Sequence, residues 1–189
     1  MDKWTDFYEA YFPTRADAEG FVAALEALDL DAPRHRAKIM MHQVQRLVSL
    51  ADDIAQIRPG KESLQLLFLL ICGENIAKLS HDFQGDGQSR AYVRQFFDKF
   101  VVGADRHALE GSIVSKDFVA LNLLQIVDTL YAVRCDVVHE GQYWSFEFHD
   151  GEIPMITGDP PVTVYLQLDD LRDIVVRGSI RAINAYAAG

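Results

Sequence analysis

Apolar positions recur at intervals of three and four residues along most of the chain, which is the period of an amphipathic α-helix. The pattern predicts long helices over residues 31–58, 62–79, 90–100 and 117–141, and a last helix capped by Asp169 and Asp170. Asp31 and Pro33 form a start signal for the first of these helices, and Ser89 is a candidate cap for the third. Residues 62–79 are apolar nearly all round, so we expect a central helix there.

After Gly141 the period changes to two, as in a β-strand with one buried face. Alternating residues at 144–148, 153–156 and 162–168, with a turn signal at Asp150 and Gly151, predict about three strands. The fold class that follows is mainly α: a helical bundle with a small antiparallel β insertion, residues 142–168, before the last helix. Residues 1–30 contain two short amphipathic pieces separated by Pro13, with Thr14 as a candidate N-cap, and are predicted to be a helical lead-in to a domain of residues 31–189.

Composition limits the function classes. The formal charge of −10 argues against broad, sequence-independent attraction to nucleic acid, so any RNA function must depend on a local patch. No uninterrupted apolar run reaches the ~20 residues of a membrane span, and the N-terminus lacks the features of a secretory signal. We expect a cytoplasmic protein that does not enter a membrane, with Cys72 and Cys135 reduced.

One candidate patch is a stripe of basic residues on the first long helix. Steps of four residues keep them within ~120° of one another. They are Arg34, Lys38, His42 and Arg46. The stripe could contact an RNA backbone, or it could be a solvated face that pairs with acidic neighbours.

The strongest candidate for chemistry is the pair Arg134 and His139, at the end of a predicted helix and just before Gly141. Arginine is a permanent cation that binds phosphate through a planar fork of donors, and histidine exchanges protons near neutral pH. Together these two groups suffice to break a phosphodiester without a metal or other cofactor. On a regular α-helix, however, residues five apart lie ~140° from each other, so either helix termination or pairing of two copies must bring them together.

Arg134 and His139 close a bundle helix and precede the predicted strands and the last helix. In this respect residues 31–187 resemble the HEPN superfamily, whose signature is an arginine followed a few residues later by a histidine. The helix beginning at Ser89 is similar to one that precedes the motif in several bacterial members. The resemblance implies a HEPN-like bundle and a metal-independent endoribonuclease that acts as a toxin or in phage defence. It also implies a homodimer that joins two motifs, an RNA substrate, and an antitoxin or regulatory protein as partner. In this interpretation Arg134 and His139 are catalytic. Some other members of the family are inactive scaffolds.

The motif departs from the family pattern in two places. Cys135 follows the arginine where the family prefers Asn, Asp or His, and Asp136 comes one position later; both are candidate supporting residues. Gly141 stands where adenylylated HEPN toxins carry a tyrosine. The alternative is a non-catalytic dimerisation or nucleotide- or protein-binding module, in which Arg134 pairs with a carboxylate and His139 caps the helix.

Three further groups have ordinary structural explanations. Glu74 and Lys78 have the spacing of a surface ion pair. Trp144, Phe146 and Phe148 could stack on bases, although alternating aromatics usually form the core face of a sheet. The histidines show no metal-ligand spacing, so no metal site is expected.

Overall fold

The computed structural model describes residues 3–29, 31, 34–81, 87–144, 146–151, 155–157 and 161–189. Helices dominate this part of the chain. They are α1 (Lys3–Tyr8), a 3-10 turn (Glu9–Tyr11), α2 (Arg15–Glu26), α3 (Arg36–Ile57), α4 (Glu62–Ser80), α5 (Ser89–Phe100), α6 (Ala104–Leu109), α7 (Leu123–Cys135), a π-helix (Asp136–Glu140) and α8 (Leu168–Ala188). The strands are β1 (Ile113–Ser115), β2 (Met155–Thr157) and β3 (Val162–Val164). The prediction of a mainly helical protein with a small antiparallel sheet is confirmed.

α4 is the central helix of the bundle, and it packs against α3, α5, α7 and α8. It is apolar on all sides because each side meets another helix. Gly73 allows a close approach of α5, since a Cβ built there would lie 2.9 Å from the Phe96 ring. The predicted central position of this helix is therefore confirmed.

The N-terminal helices pack on the bundle. Thr14 caps α2 and accepts a hydrogen bond from the backbone N–H of Asp17, as the sequence indicated. The Tyr8 side chain is fully buried, and its hydroxyl donates to the carbonyl of Met41 in α3 at 2.8 Å. Tyr11 donates to Asp173 of α8 at 2.8 Å. These contacts make residues 3–26 part of the same hydrophobic core as α3 and α8.

The sheet has the order β1-β3-β2, with both pairings antiparallel. The prediction of about three strands within residues 142–168 is wrong, because the described part of that insertion contributes only β2 and β3. β1 comes from before α7, between the helices that the sequence predicted over residues 90–100 and 117–141. Residues 146–148 are irregular, although Phe146 and Phe148 are buried as a core face would be.

Three predicted helix starts also need correction. α8 begins at Leu168 after Gln167, so Asp169 and Asp170 lie in its first turn and do not cap it. α3 begins at Arg36, and the predicted start signal falls partly on Ala32 and Pro33, which lie outside the described residues. α7 begins at Leu123, where Asn122 forms a capping box with Gln125. The α7 start moves because residues 115–120 form a turn after β1, in which Phe118 has a φ of 58° and is 77% exposed.

In the described part of the chain, α4 is the one helix long and apolar enough to span a membrane by length and composition. Half of its most apolar window is buried inside the bundle, and the core helix of a soluble protein can have the same length and composition. This burial is compatible with the expected soluble protein, and the cytoplasmic location stays a prediction.

Candidate active site

The arginine and the histidine of the motif lie on two different kinds of helix. Arg134 is in the last turn of α7, and His139 is in the π-helix that continues from it. Gly141 ends the π-helix in the left-handed conformation, with a φ of 66°, and its N–H donates to the carbonyl of Asp136. Short π-helices are rare and occur frequently at functional sites.

The π-helix changes the angular relation between the two side chains. Its backbone hydrogen bonds join residues five apart instead of four, so each turn holds an additional residue. The ~140° separation that a regular α-helix imposes on Arg134 and His139 is therefore reduced. The sequence did not indicate this local winding, because its apolar positions fit an uninterrupted α-helix.

Arg134 is held against the bundle. Its side chain is 17% exposed, and a guanidinium nitrogen lies 3.8 Å from a carboxylate oxygen of Glu74 on α4. The guanidinium carbon also lies 5.2 Å from the centre of the Tyr131 ring, one turn earlier on α7. The alternative interpretation pairs Arg134 with a carboxylate, and in the described contacts the carboxylate that approaches it is that of Glu74.

Glu74 is a buried carboxylate, with 8% of its side chain exposed, so the prediction of a surface pair with Lys78 is wrong in its location. The ion pair itself is present, and Ser89 also donates to Glu74, at 2.7 Å. Ser89 is the first residue of α5 and uses its hydroxyl in this way, so the expectation that it caps the helix is wrong. Glu74 thus connects α4, α5 and α7 beneath Arg134.

His139 is exposed. Among the described residues its side chain has no hydrogen-bond or ion-pair partner. The neighbouring Glu140 accepts a hydrogen bond from Gln142 at 2.9 Å instead of contacting the motif arginine. Cys135 and Asp136 are partly buried, and within the described part of the chain neither side chain makes a hydrogen bond.

The basic stripe on α3 faces the N-terminal helices over part of its length. Lys38 donates to the carbonyl oxygen of Glu26 at 2.8 Å, and His42 contacts the Glu26 carboxylate and stacks on Trp4. Arg34 donates to the carbonyl of Ala187. Arg46 is exposed. Because Lys38 and His42 are already engaged by Glu26, the stripe is not included in the proposed site.

The aromatic residues that follow the motif divide into two groups. Phe146 and Phe148 are each 3% exposed and pack edge to face. Trp144 is 62% exposed and Tyr143 38%. The alternating pattern along the sequence did not distinguish these two groups, because residues 143–144 and 146–148 are not in a strand.

Within the described residues, no group of three or more His, Cys, Asp and Glu side chains is arranged to hold a metal ion. Comparison with family models, with curated proteins and with solved structures found no match for this chain.

Proposed function

We propose that this chain is a metal-independent endoribonuclease of HEPN type that acts as a homodimer. The observation that carries the proposal is the arrangement at the end of α7: a solvent-open His139 on a π-helix, next to an Arg134 fixed against the protein by Glu74. A proton-transfer group must reach its substrate, whereas a phosphate-binding group gains from being held in place.

The cleavage chemistry uses both side chains. His139 takes the proton of a ribose 2′-hydroxyl, and the 2′-oxygen attacks the adjacent phosphorus. Arg134 stabilises the negative charge that accumulates on the phosphorane oxygens. The bond to the 5′-oxygen breaks, and that oxygen receives a proton from an imidazolium, which gives a 2′,3′-cyclic phosphate and a 5′-hydroxyl. A second His139, contributed by the other copy across a two-fold axis, can supply this proton.

The ion pair with Glu74 leaves Arg134 able to bind phosphate. The guanidinium carries five N–H donors, and its approach to Glu74 at 3.8 Å is longer than a hydrogen bond. Glu74 already accepts hydrogen bonds from Lys78 and Ser89, so its charge is shared between these two donors and the guanidinium. Arg134 is thus oriented without being neutralised by a bidentate carboxylate.

The test is RNA cleavage by purified protein in EDTA. Either Arg134→Ala or His139→Ala should lower the cleavage rate by about 10²- to 10⁴-fold, as expected for loss of charge stabilisation or of general acid–base catalysis. The matched control is Arg106→Ala with His107→Ala on α6, where His107 is exposed and Arg106 pairs with surface carboxylates. This control should cleave like the wild type, and products should carry the cyclic phosphate.

A folded wild-type protein that does not cleave RNA, or variants that cleave as fast as the wild type, would contradict the proposal. The biological setting we propose is a toxin or phage-defence component restrained by an antitoxin or other regulatory protein. Overexpression should then inhibit growth, and the same two substitutions should relieve the inhibition.

The second candidate is a non-catalytic HEPN-like module for dimerisation or binding. The contact between Arg134 and the buried Glu74 favours it, because an arginine in such a contact can serve packing alone. Cys135, where the family prefers a polar residue, also favours it. A dimer that lacks cleavage activity and loses its self-association in the Arg134→Ala variant would support this candidate.

A further inference from the structure

The segment after the π-helix exposes two adjacent aromatic rings. Tyr143 and Trp144 contact each other edge to face, with ring centres 5.2 Å apart. Trp144 is 62% exposed, so most of its indole is open to solvent. Because the two ring planes are 77° apart, the platform for another planar group is the more exposed indole face of Trp144, with Tyr143 at its side, directly after a candidate cleavage motif.

The backbone beyond these rings is fixed by hydrogen bonds to the start of α4. Ser63 donates to the carbonyl of Phe146 at 3.1 Å, and the N–H of Phe148 donates to the Glu62 carboxylate at 2.9 Å. Phe146 and Phe148 are buried beneath this attachment. The exposed rings therefore lie next to a backbone attached to the bundle, which lowers the entropy lost when a ligand stacks on them.

A cation accompanies the rings. The ammonium of Lys61, the residue before α4, lies 5.6 Å from the centre of the Tyr143 ring. An aromatic face with a nearby ammonium matches the two parts of a nucleotide, because the base can stack and the phosphate can pair with the cation. Stacking also suits a chain with a formal charge of −10, since it does not require a broad basic surface.

We propose that Lys61, Tyr143 and Trp144 bind an unpaired base of single-stranded RNA next to the scissile phosphate. Trp144 follows His139 by five residues, so their Cα atoms are at most ~18 Å apart, within a few nucleotides along a strand. Bases in a duplex have their faces covered, so the platform selects single-stranded substrate. The inference takes its ligand from the proposed function, but its test does not depend on cleavage.

The test uses the indole of Trp144 as the probe. The chain has two tryptophans, and Trp4 stacks on His42, so a Trp4→Phe variant leaves Trp144 as the single reporter. This variant is titrated with a fully 2′-O-methylated single-stranded RNA, which lacks the attacking hydroxyl. We expect saturable quenching of the fluorescence, and at least ten times weaker binding of the blunt duplex of the same sequence.

Substitutions in the otherwise wild-type chain then test the platform by anisotropy of the labelled strand. Trp144→Ala should weaken binding by about 5- to 150-fold, and Trp144→Phe should retain most of the affinity. The matched control is Phe118→Ala, which removes another ring that is 77% exposed, on the turn after β1. This control should bind like the wild type, and circular dichroism should show that all variants fold.

The experiments distinguish failure of the platform from failure of the proposed nuclease. Absence of quenching at saturation, equal binding of strand and duplex, or equal effects of Trp144→Ala and Phe118→Ala would overturn the platform. A fluorescence change with protein concentration in the absence of RNA, with no further change when RNA is added, would overturn it in favour of a protein interface. Quenching without cleavage by the wild type would contradict only the proposed nuclease, whereas cleavage without quenching would contradict only the platform.

Discussion

The guanidinium of Arg134 lies 3.8 Å from the carboxylate of Glu74, across the contact between α7 and α4. The two residues have different surroundings. Glu74 is buried and also contacts Lys78 and Ser89, whereas Arg134 is on the edge of the bundle with one face on Tyr131. A carboxylate in the interior therefore orients a partly buried cation at the edge of the bundle.

The first prediction is that these two partners contribute unequally to stability. Glu74→Gln removes the buried charge that Lys78, Ser89 and Arg134 share, and should lower the free energy of unfolding by about 1–3 kcal/mol. Arg134→Ala leaves Glu74 with its other two donors, so it should cost less than Glu74→Gln, about 0.5–1.5 kcal/mol for one lost partner. Urea denaturation measures both values.

Glu110→Gln is the control for the first of these substitutions, because Glu110 forms an exposed pair with Arg106. It should change the stability by less than about 0.5 kcal/mol. If Arg134→Ala lowered the free energy of unfolding more than Glu74→Gln, Arg134 would be a structural residue. The argument for its role in phosphate binding would then weaken.

Sequence periodicity predicted the long helices well, because each buries a continuous apolar face. The prediction for α4 began at Glu62 and ended one residue before its observed end at Ser80. It was less successful where backbone geometry depends on distant parts of the chain. β1 exists because Ile113–Ser115 pairs with β3, which lies about fifty residues later.

The candidate site was predictable in its residues but not in its geometry. Arg134 and His139 were identified from their spacing and position before Gly141. The sequence did not indicate the π-helix, the burial of Glu74 or the contact of Ser89 with Glu74. These features arise from packing among α4, α5 and α7. The i,i+4 spacing of Glu74 and Lys78 gave the ion pair, but spacing along one helix does not indicate which side faces the core.

The second prediction concerns the two cysteines. Complete burial raises the pKa of the Cys72 thiol to about 12, so almost no thiolate forms there near neutral pH. Cys135 is partly exposed. A thiol reagent applied to the native protein should label Cys135, and should label Cys72 only after denaturation, as mass spectrometry of the digested protein can show. Equal labelling of both residues under native conditions would contradict the burial of Cys72.

The third prediction is a pH dependence of the contact between α2 and α3. The hydrogen bond with His42 and the contacts of Lys38 hold the pKa of Glu26 below its ordinary value, against the opposing effect of partial burial. A lowered folded-state pKa gives stabilisation that is present above the ordinary pKa and is lost as the pH falls through the folded value. Because the Glu26 side chain is 35% exposed, solvent screening limits the effect to about 0.2–1 kcal/mol.

The measurement is urea denaturation of the wild type and of Glu26→Gln between about pH 6 and about pH 3. At about pH 6 the wild type should have the larger free energy of unfolding. The difference in free energy between the two proteins should shrink as the pH falls towards about 3. Glu19→Gln on the same helix is a control, since Glu19 is 58% exposed and pairs only with Arg15 among the described contacts. A difference between wild type and Glu26→Gln that stays constant with pH would contradict this assignment.

The fourth prediction contrasts two glycines. Gly141 ends the π-helix at a φ of 66°, where an L-residue is strained by roughly 1–2 kcal/mol, so Gly141→Ala should destabilise the protein by about that amount. Gly141→Asn should cost less, because asparagine tolerates the left-handed conformation. Gly20 lies inside α2, and a Cβ added there would meet nothing within 4 Å, so Gly20→Ala should instead stabilise by roughly 0.5–1 kcal/mol.

The contrast matters for the site because Gly141 follows His139 by two residues. If the left-handed glycine fixes the end of the π-helix, Gly141→Ala should lower RNA cleavage more than its loss of stability explains at a temperature where the variant is still folded. Gly141→Asn should restore part of that activity, and Gly20→Ala should leave it unchanged. Equal responses of the two alanine variants, in stability and in cleavage, would mean that the left-handed turn does not position the histidine.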